Sequence, residues 1–145
     1  MWLNRCKFIE LPKIIDSRGN LTFIENNGYL PFEIQRVYYI YDVPGGSDRG
    51  GHAHRQLQQL VIALSGSFDL ELDDGFEKKT ISLNRAHCGL YICPMIWRTI
   101  TNFSSGAVCL VLASECFQEA DYFRHYGEFL NESQRIANEI ASAVS

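Results

Sequence analysis

The sequence predicts an all-β domain, a sandwich or barrel of short strands with a helical tail, and three observations carry this reading. Short β-rich runs separated by turn residues recur from Lys7 to Phe117, apolar and polar residues alternate within them, and after Phe117 helix formers take over.

The first run is LTFIE (21–25). The next, IQRVYYIYDV (34–43), places Arg36, Tyr38 and Ile40 on one face of a strand and Val37, Tyr39 and Tyr41 on the other. In LQQLVIALSGSFDLELDD (57–74), Phe68, Leu70 and Leu72 alternate with polar partners until Asp74-Gly75 supplies a hairpin turn, and KKTISL (78–83) returns. CGLYIC (88–93), WRTITNF (97–103) and AVCLVLAS (107–114) complete a barrel assigned to 7–117. In the tail, 118–145, a helical turn is expected over 119–126 and a helix from about Glu132, capped by Asn131 or Ser133, with Ile136, Ile140 and Val144 four residues apart on one face. No repeat or linker interrupts the chain, so 1–145 reads as a single domain.

With 46% hydrophobic and 21% charged residues, the composition is that of a packed globular chain rather than a disordered one. A net charge of -4 and the lack of Lys/Arg-rich runs argue against a nucleic-acid surface. No stretch approaches the length of a membrane span and the first residues lack a signal-like apolar core, so a cytoplasmic location away from the membrane is expected. The five cysteines form no close-paired framework and read as buried reduced thiols.

The segment GGSDRGGHAHRQLQQLVIALSGS (45–67) carries the chemistry. Gly46, His52, His54, Gln59 and Gly66 follow the spacing G-x5-H-x-H-x4-Q-x6-G, which resembles the first signature of the cupin superfamily with glutamine in place of glutamate. Residues i and i+2 of a strand share a face, so His52 and His54 enter the barrel together. A cupin metal site adds a carboxylate and a later histidine, whereas this sequence offers the poor ligand Gln59 and, in GLYICPMIWRTITN, Arg98, whose charge would repel a cation. No metal or other cofactor is therefore expected. Two same-facing imidazoles, titrating near neutrality, point instead to proton transfer. Arg36 and Arg49, with Arg98, would draw an anion into the same cavity.

KIIDSRGNLTFIE, PFEIQRVYYIYD, RGGHAHRQLQQLVIALSGS, CGLYICPMIWR and LVLASECFQEADYFRHYGEF together resemble, over roughly residues 7 to 129, the dTDP-4-oxo-6-deoxyglucose 3,4-ketoisomerases, or WxcM-like cupins. The resemblance implies a cytoplasmic, metal-independent cupin (a double-stranded β-helix) and a homodimer with exchanged N-terminal strands. It implies a dTDP-linked 4-oxo-6-deoxy sugar as substrate and a 3-oxo product that feeds 3-amino-3,6-dideoxyhexose synthesis for O-antigen, lipopolysaccharide or S-layer glycans. Carried over by position, His52 corresponds to the base at C3 and His54 to its partner for proton return at C4, an order that the sequence would equally allow reversed, and Tyr38 to a sugar contact or relay. Arg36 and Arg49 correspond to diphosphate contacts and Gln59 to an amide facing the sugar. Arg18 and Arg98 fall where family members differ and border the sugar. The DSRGN segment favours the galacto over the gluco product. A dTDP-sugar 3,5-epimerase and a noncatalytic nucleotide-sugar binding cupin are the alternatives.

Overall fold

The computed structural model describes residues 1–144. Two five-stranded antiparallel sheets face each other as in a cupin. The first, in spatial order, holds β1 (Lys7–Glu10), β9 (Cys88–Ile92), β6 (Gln59–Ser65), β11 (Val108–Ala113) and β4 (Arg36–Ile40). The second holds β12 (Tyr122–Phe123), β5 (Arg49–His54), β10 (Trp97–Thr101), β7 (Phe68–Asp73) and β8 (Lys78–Leu83). A two-stranded ribbon, β2 (Lys13–Ile14) with β3 (Leu21–Thr22), stands apart, and α1 (Tyr126–Val144) ends the described chain. Among the described residues, no helix is long and apolar enough to cross a membrane.

Side chains between the sheets, among them Phe68, Leu70, Leu72, Leu90, Ile92 and Ile96, are almost fully buried. The back of the first sheet is covered by the N-terminal segment, where Leu11 and Leu30 pack on Leu60, Ile62 and Leu112. On the second sheet, α1 sets Phe129, wholly buried, against the rings of Trp97 and Phe123. Burying that ring contributes roughly 2 kcal/mol and ties the tail to the barrel.

Period-two patterning located eight strands, but their lengths differ. LTFIE is a strand only at Leu21–Thr22, and the 57–74 run breaks at Gly66, whose φ of +67° and close approach to Ala107 Cα (2.9 Å from an added Cβ) admit no side chain. Asp74 closes the β7–β8 hairpin by accepting from the backbone N–H groups of Phe76 and Glu77. β1, β2 and β12 were not anticipated: each is short, and sheet partners supply what local sequence does not.

The tail also differs. The helix begins at Tyr126, a turn and a half ahead of Glu132, because Phe129 anchors its first turn on the barrel. Ser133 lies inside the helix against Gly75 rather than at a cap. Ile136 packs on the core, but Ile140 and Val144 are exposed, so the apolar stripe outruns the barrel it covers. Cys93 and Cys109 are buried thiols, Cys6 and Cys88 are half-buried, and Cys116 is exposed.

Candidate active site

A cavity of about 500 Å³ opens between the sheets. β4 presents Arg36, Tyr38 and Ile40 to it, β6 presents Gln59, β10 presents Arg98, and Asp48, Tyr122 and Arg124 complete its polar wall. Strand alternation turns the opposite set, Val37, Tyr39 and Tyr41, outward, where each is more than half exposed, although Tyr39 also lines the cavity.

β5 is less regular. Arg98 pairs with His52 and Thr99 with Gly50, so Gly51 is the extra residue of a bulge. Gly50 and Gly51 adopt φ of +91° and +74°, and a Cβ on Gly50 would stand 2.9 Å from the Arg98 carbonyl oxygen. The extra residue shifts the alternation by one, so Arg49 and His52, three positions apart, both line the cavity. The turn before β10 is fixed by the Met95 N–H, which donates to the His54 carbonyl at 2.8 Å, so Arg98 enters at a set position.

Arg98 is 3% exposed, a cation inside the barrel. Its Nε donates to the Ile96 carbonyl and its Nη1 to Gln59 Oε1, while Nη2 has no hydrogen-bond partner among the described residues. Gln59 Nε2 in turn donates to the Tyr38 hydroxyl at 3.0 Å. Gln59 lines the cavity as well, with both ends of its amide engaged by Arg98 and Tyr38. Tyr38 accepts from Gln59 and keeps its own proton free to donate into the cavity, and burial raises its pKa.

His52 lines the cavity; His54 does not. His54 is 1% exposed and sits behind, its ring 4.9 Å from that of His52 and nearly perpendicular to it. Tyr122 leans on both rings, 5.1 and 4.3 Å away. Burial first, then the Arg98 and Arg124 charges, push His52 down to about 3. Burial, then Arg98, His52, Arg36 and Arg124, push His54 down to about 2. Neither imidazole titrates near neutrality as its type suggested: both are neutral there, with a lone pair available as proton acceptor.

Of the other expected residues, Arg36 and Arg49 reach the cavity. Arg18 does not: it lies exposed in the β2–β3 turn, bonded through Nη2 to Asp16 at 2.8 Å. Sequence reasoning missed Asp121, Tyr122 and Arg124, because QEADYFRHY reads as a helical turn, whereas Glu119–Asp121 is one 3-10 turn feeding β12. The signal was present in Asp121-Tyr122-Phe123, an acid and two aromatics whose alternation sends Tyr122 to the cavity and Phe123 to the helix side. Among the described residues, no three His, Cys, Asp or Glu side chains gather as a metal-ligand set.

The family described as "FdtA: WxcM-like, C-terminal" matches residues 4–134. The TDP-4-oxo-6-deoxy-alpha-D-glucose-3,4-oxoisomerase of Aneurinibacillus thermoaerophilus is 47% identical over 123 residues, covering 85% of this chain and 88% of that protein. A histidine-to-asparagine mutant of the 3,4-ketoisomerase QdtA from Thermoanaerobacterium thermosaccharolyticum, solved in complex with TDP-4-keto-6-deoxyglucose, superposes with a TM-score of 0.89 at 41% identity, covering 92% of this chain and 96% of that one. The TDP-quinovose 3,4-ketoisomerase WlaRB of Campylobacter jejuni gives a TM-score of 0.84 at 49% identity, covering 89% and 99%. With the barrel, the histidine pair and matches spanning most of its length, the chain belongs to the WxcM-like family and is an isomerase.

Proposed function

We propose that this protein converts dTDP-4-oxo-6-deoxyglucose to the dTDP-3-oxo isomer without a metal ion. The observation that carries the reading is the joint placement of neutral His52, the donor hydroxyl of Tyr38 and the unpaired Nη2 of buried Arg98 on one cavity. The C4 ketone acidifies the C3 proton, and an enediol links the 4-oxo and 3-oxo sugars. His52 removes the C3 proton, and the Arg98 guanidinium stabilises the oxyanion that forms. The C3 hydroxyl proton passes to the adjacent O4 of the enediolate, Tyr38 gives its proton to C4 as the C3 carbonyl forms, and Tyr38 regains one from the imidazolium of His52, which closes the cycle. His54, kept off the cavity wall, takes part by way of His52. A diphosphate seated among Arg36, Arg49 and Arg124 offsets the positive field that depresses His52, so the base strengthens when the substrate is present.

Proton delivery is assigned to the face that gives the galacto product, on the DSRGN segment containing Arg18. The gluco product is the second reading, favoured by the 49% identity to a relative described as a TDP-quinovose isomerase. The reading extends to one domain over 1–145, a cytoplasmic place in 3-amino-3,6-dideoxyhexose synthesis for a surface glycan, and a homodimer with exchanged N-terminal strands. Ile14, Ile15, Leu21 and Phe23, exposed around the β2–β3 ribbon, support such a dimer. The exchange also gives Arg18 a use: this residue lies away from its own cavity, so it borders a sugar only if the ribbon reaches the partner's.

The test is a one-pot assay in deuterium oxide with a chelator present: the nucleotide sugar, the protein and a 3-aminotransferase, with the trapped amino sugar read by NMR. A 3-amino product establishes carbonyl migration, and its coupling constants assign the C4 configuration. Inversion at C3 and C5 without migration would instead identify a 3,5-epimerase, and binding with neither product nor deuterium exchange a noncatalytic module.

A further inference from the structure

Resting on that reading, we propose that Asp121 is a positioning residue of the active site: its carboxylate holds His54 as the Nδ1–H tautomer and leaves the Nε2 lone pair as a buried acceptor behind His52 and Tyr122.

Asp121 ends the 3-10 turn before β12 and grips the residues that leave β5. Its carbonyl oxygen accepts from the Arg55 N–H at 2.9 Å. Its Oδ1 accepts from the Gln56 N–H at 2.8 Å, and its Oδ2 from the Leu57 N–H at 3.2 Å. The same Oδ2 lies 3.2 Å from His54 Nδ1. Backbone amides can only donate, so both carboxylate oxygens are committed as acceptors, and the ring nitrogen facing Oδ2 is the one that carries hydrogen. A neutral imidazole has one N–H, so Nε2 is bare.

That bare nitrogen is buried and has no hydrogen-bond partner among the described residues. An orphaned acceptor in a native interior costs stability and calls for a use. Here the ring that carries it stands 4.9 Å from the His52 ring and 4.3 Å from that of Tyr122, near enough for a neutral, oriented His54 to stabilise the positive charge that His52 acquires on taking the C3 proton. The β12–β5 ladder sets the distance: Tyr122 pairs with His54, so the residue before Tyr122 is held against the imidazole by backbone bonds as well as by its side chain.

Asparagine cannot do this. Whichever way its amide turns, the NH2 group meets a backbone N–H, that of Gln56 in one orientation and that of Leu57 in the other. In the second orientation it also donates to Nδ1 and reverses the tautomer.

Two measurements test the proposal on the full-length protein. Long-range 1H–15N correlation of 15N-histidine-labelled wild type at pH 7.5 is expected to show His54 neutral, with hydrogen on Nδ1 and none on Nε2; hydrogen on Nε2 overturns the proposal, and this reading needs no variant. In Asp121→Asn, kcat is expected to fall by about 100-fold, with KM and the Kd for dTDP within roughly threefold of wild type because the carboxylate lies outside the ligand cavity. Wild-type kcat in the folded Asp121→Asn variant overturns it. Wild type that shows the Nδ1–H tautomer yet leaves the nucleotide sugar unchanged overturns the functional reading alone.

Discussion

Two regions share the barrel interior and are built from the same strands. On β6, Gln59 and Val61 line the cavity while Ala63 packs in the core; on β7, Leu70 reaches the cavity while Phe68 and Leu72 do not; on β10, Arg98 and Ile100 stand side by side at its wall. The apolar region is close-packed, and among the described residues its buried side-chain atom without a partner is Ser133 Oγ. The polar region holds three such atoms among the described residues, nitrogens on Arg36, His54 and Arg98. The barrel therefore gains its stability from one region and accepts a deficit in the other, which is where donors and acceptors are left open for a ligand.

The sharpest test of that division is His52→Asn. It removes the base that faces the cavity and leaves the apolar core untouched, so turnover is expected to fall at least ~10³-fold with Tm and dTDP affinity near wild type, as read by steady-state kinetics, calorimetry and a thermal melt. Residual turnover within tenfold of wild type would remove His52 from the chemistry. Leu72→Ala sharpens the comparison from the other side. Leu72 is 1% exposed and does not line the cavity, so the loss should be about 3 kcal/mol of unfolding free energy, with kcat within twofold. A large loss of kcat at unchanged stability would mean that the two regions are not separable.

Arg98→Met tests the border between them. The methionine fills the buried volume but leaves no cation near the enediolate, and kcat should fall by roughly 10²-fold. The same change removes the largest charge acting on both histidines after burial itself, so their pKa values should rise. Histidine titration by NMR checks the shift, and an unmoved His52 would show that burial alone holds it down.

How much of this was legible in the sequence follows the physics of each element. Alternation located the barrel strands and the face of β4 because burial on one side of a strand writes itself at period two. The Gly-framed His52 and His54 were legible as a same-facing pair because two positions on a strand share a side. Their unequal exposure was not, since it depends on β12, two residues long and distant in sequence, closing over His54. Nor was the engagement of Gln59, which needs Arg98 and Tyr38 to arrive from two other strands. Asp121 escaped for the same reason: its partners are 64 to 67 residues away.

The smallest expected effect is on stability against pH, and its sign follows from the histidines. Their folded pKa values, about 3 and about 2, lie below the ordinary 6.5. Above pH 6.5 both states leave the imidazoles neutral, and the pair contributes no slope. As the pH falls below 6.5 the unfolded chain takes up protons that the native protein refuses, so native stability declines steadily until the pH approaches 3. The carboxyl groups with depressed pKa values, Asp16, Asp74, Glu119 and Glu132, also lose stability in acid, but only below their ordinary values of 3.8 to 4.5. The Met1 ammonium, raised from 8.0 by its hydrogen bond to Asp74, acts in the opposite sense and weakens the fold only as the pH climbs past 8. Between pH 6.5 and 5 the histidines therefore act nearly alone. Calorimetric Tm should be level from pH 7.5 to 7 and fall by several degrees by pH 5, and the fall should largely vanish when both are replaced by glutamine. A wild-type curve that stays flat to pH 5 would mean that the polar region is wetter, and less costly to the barrel, than its geometry implies.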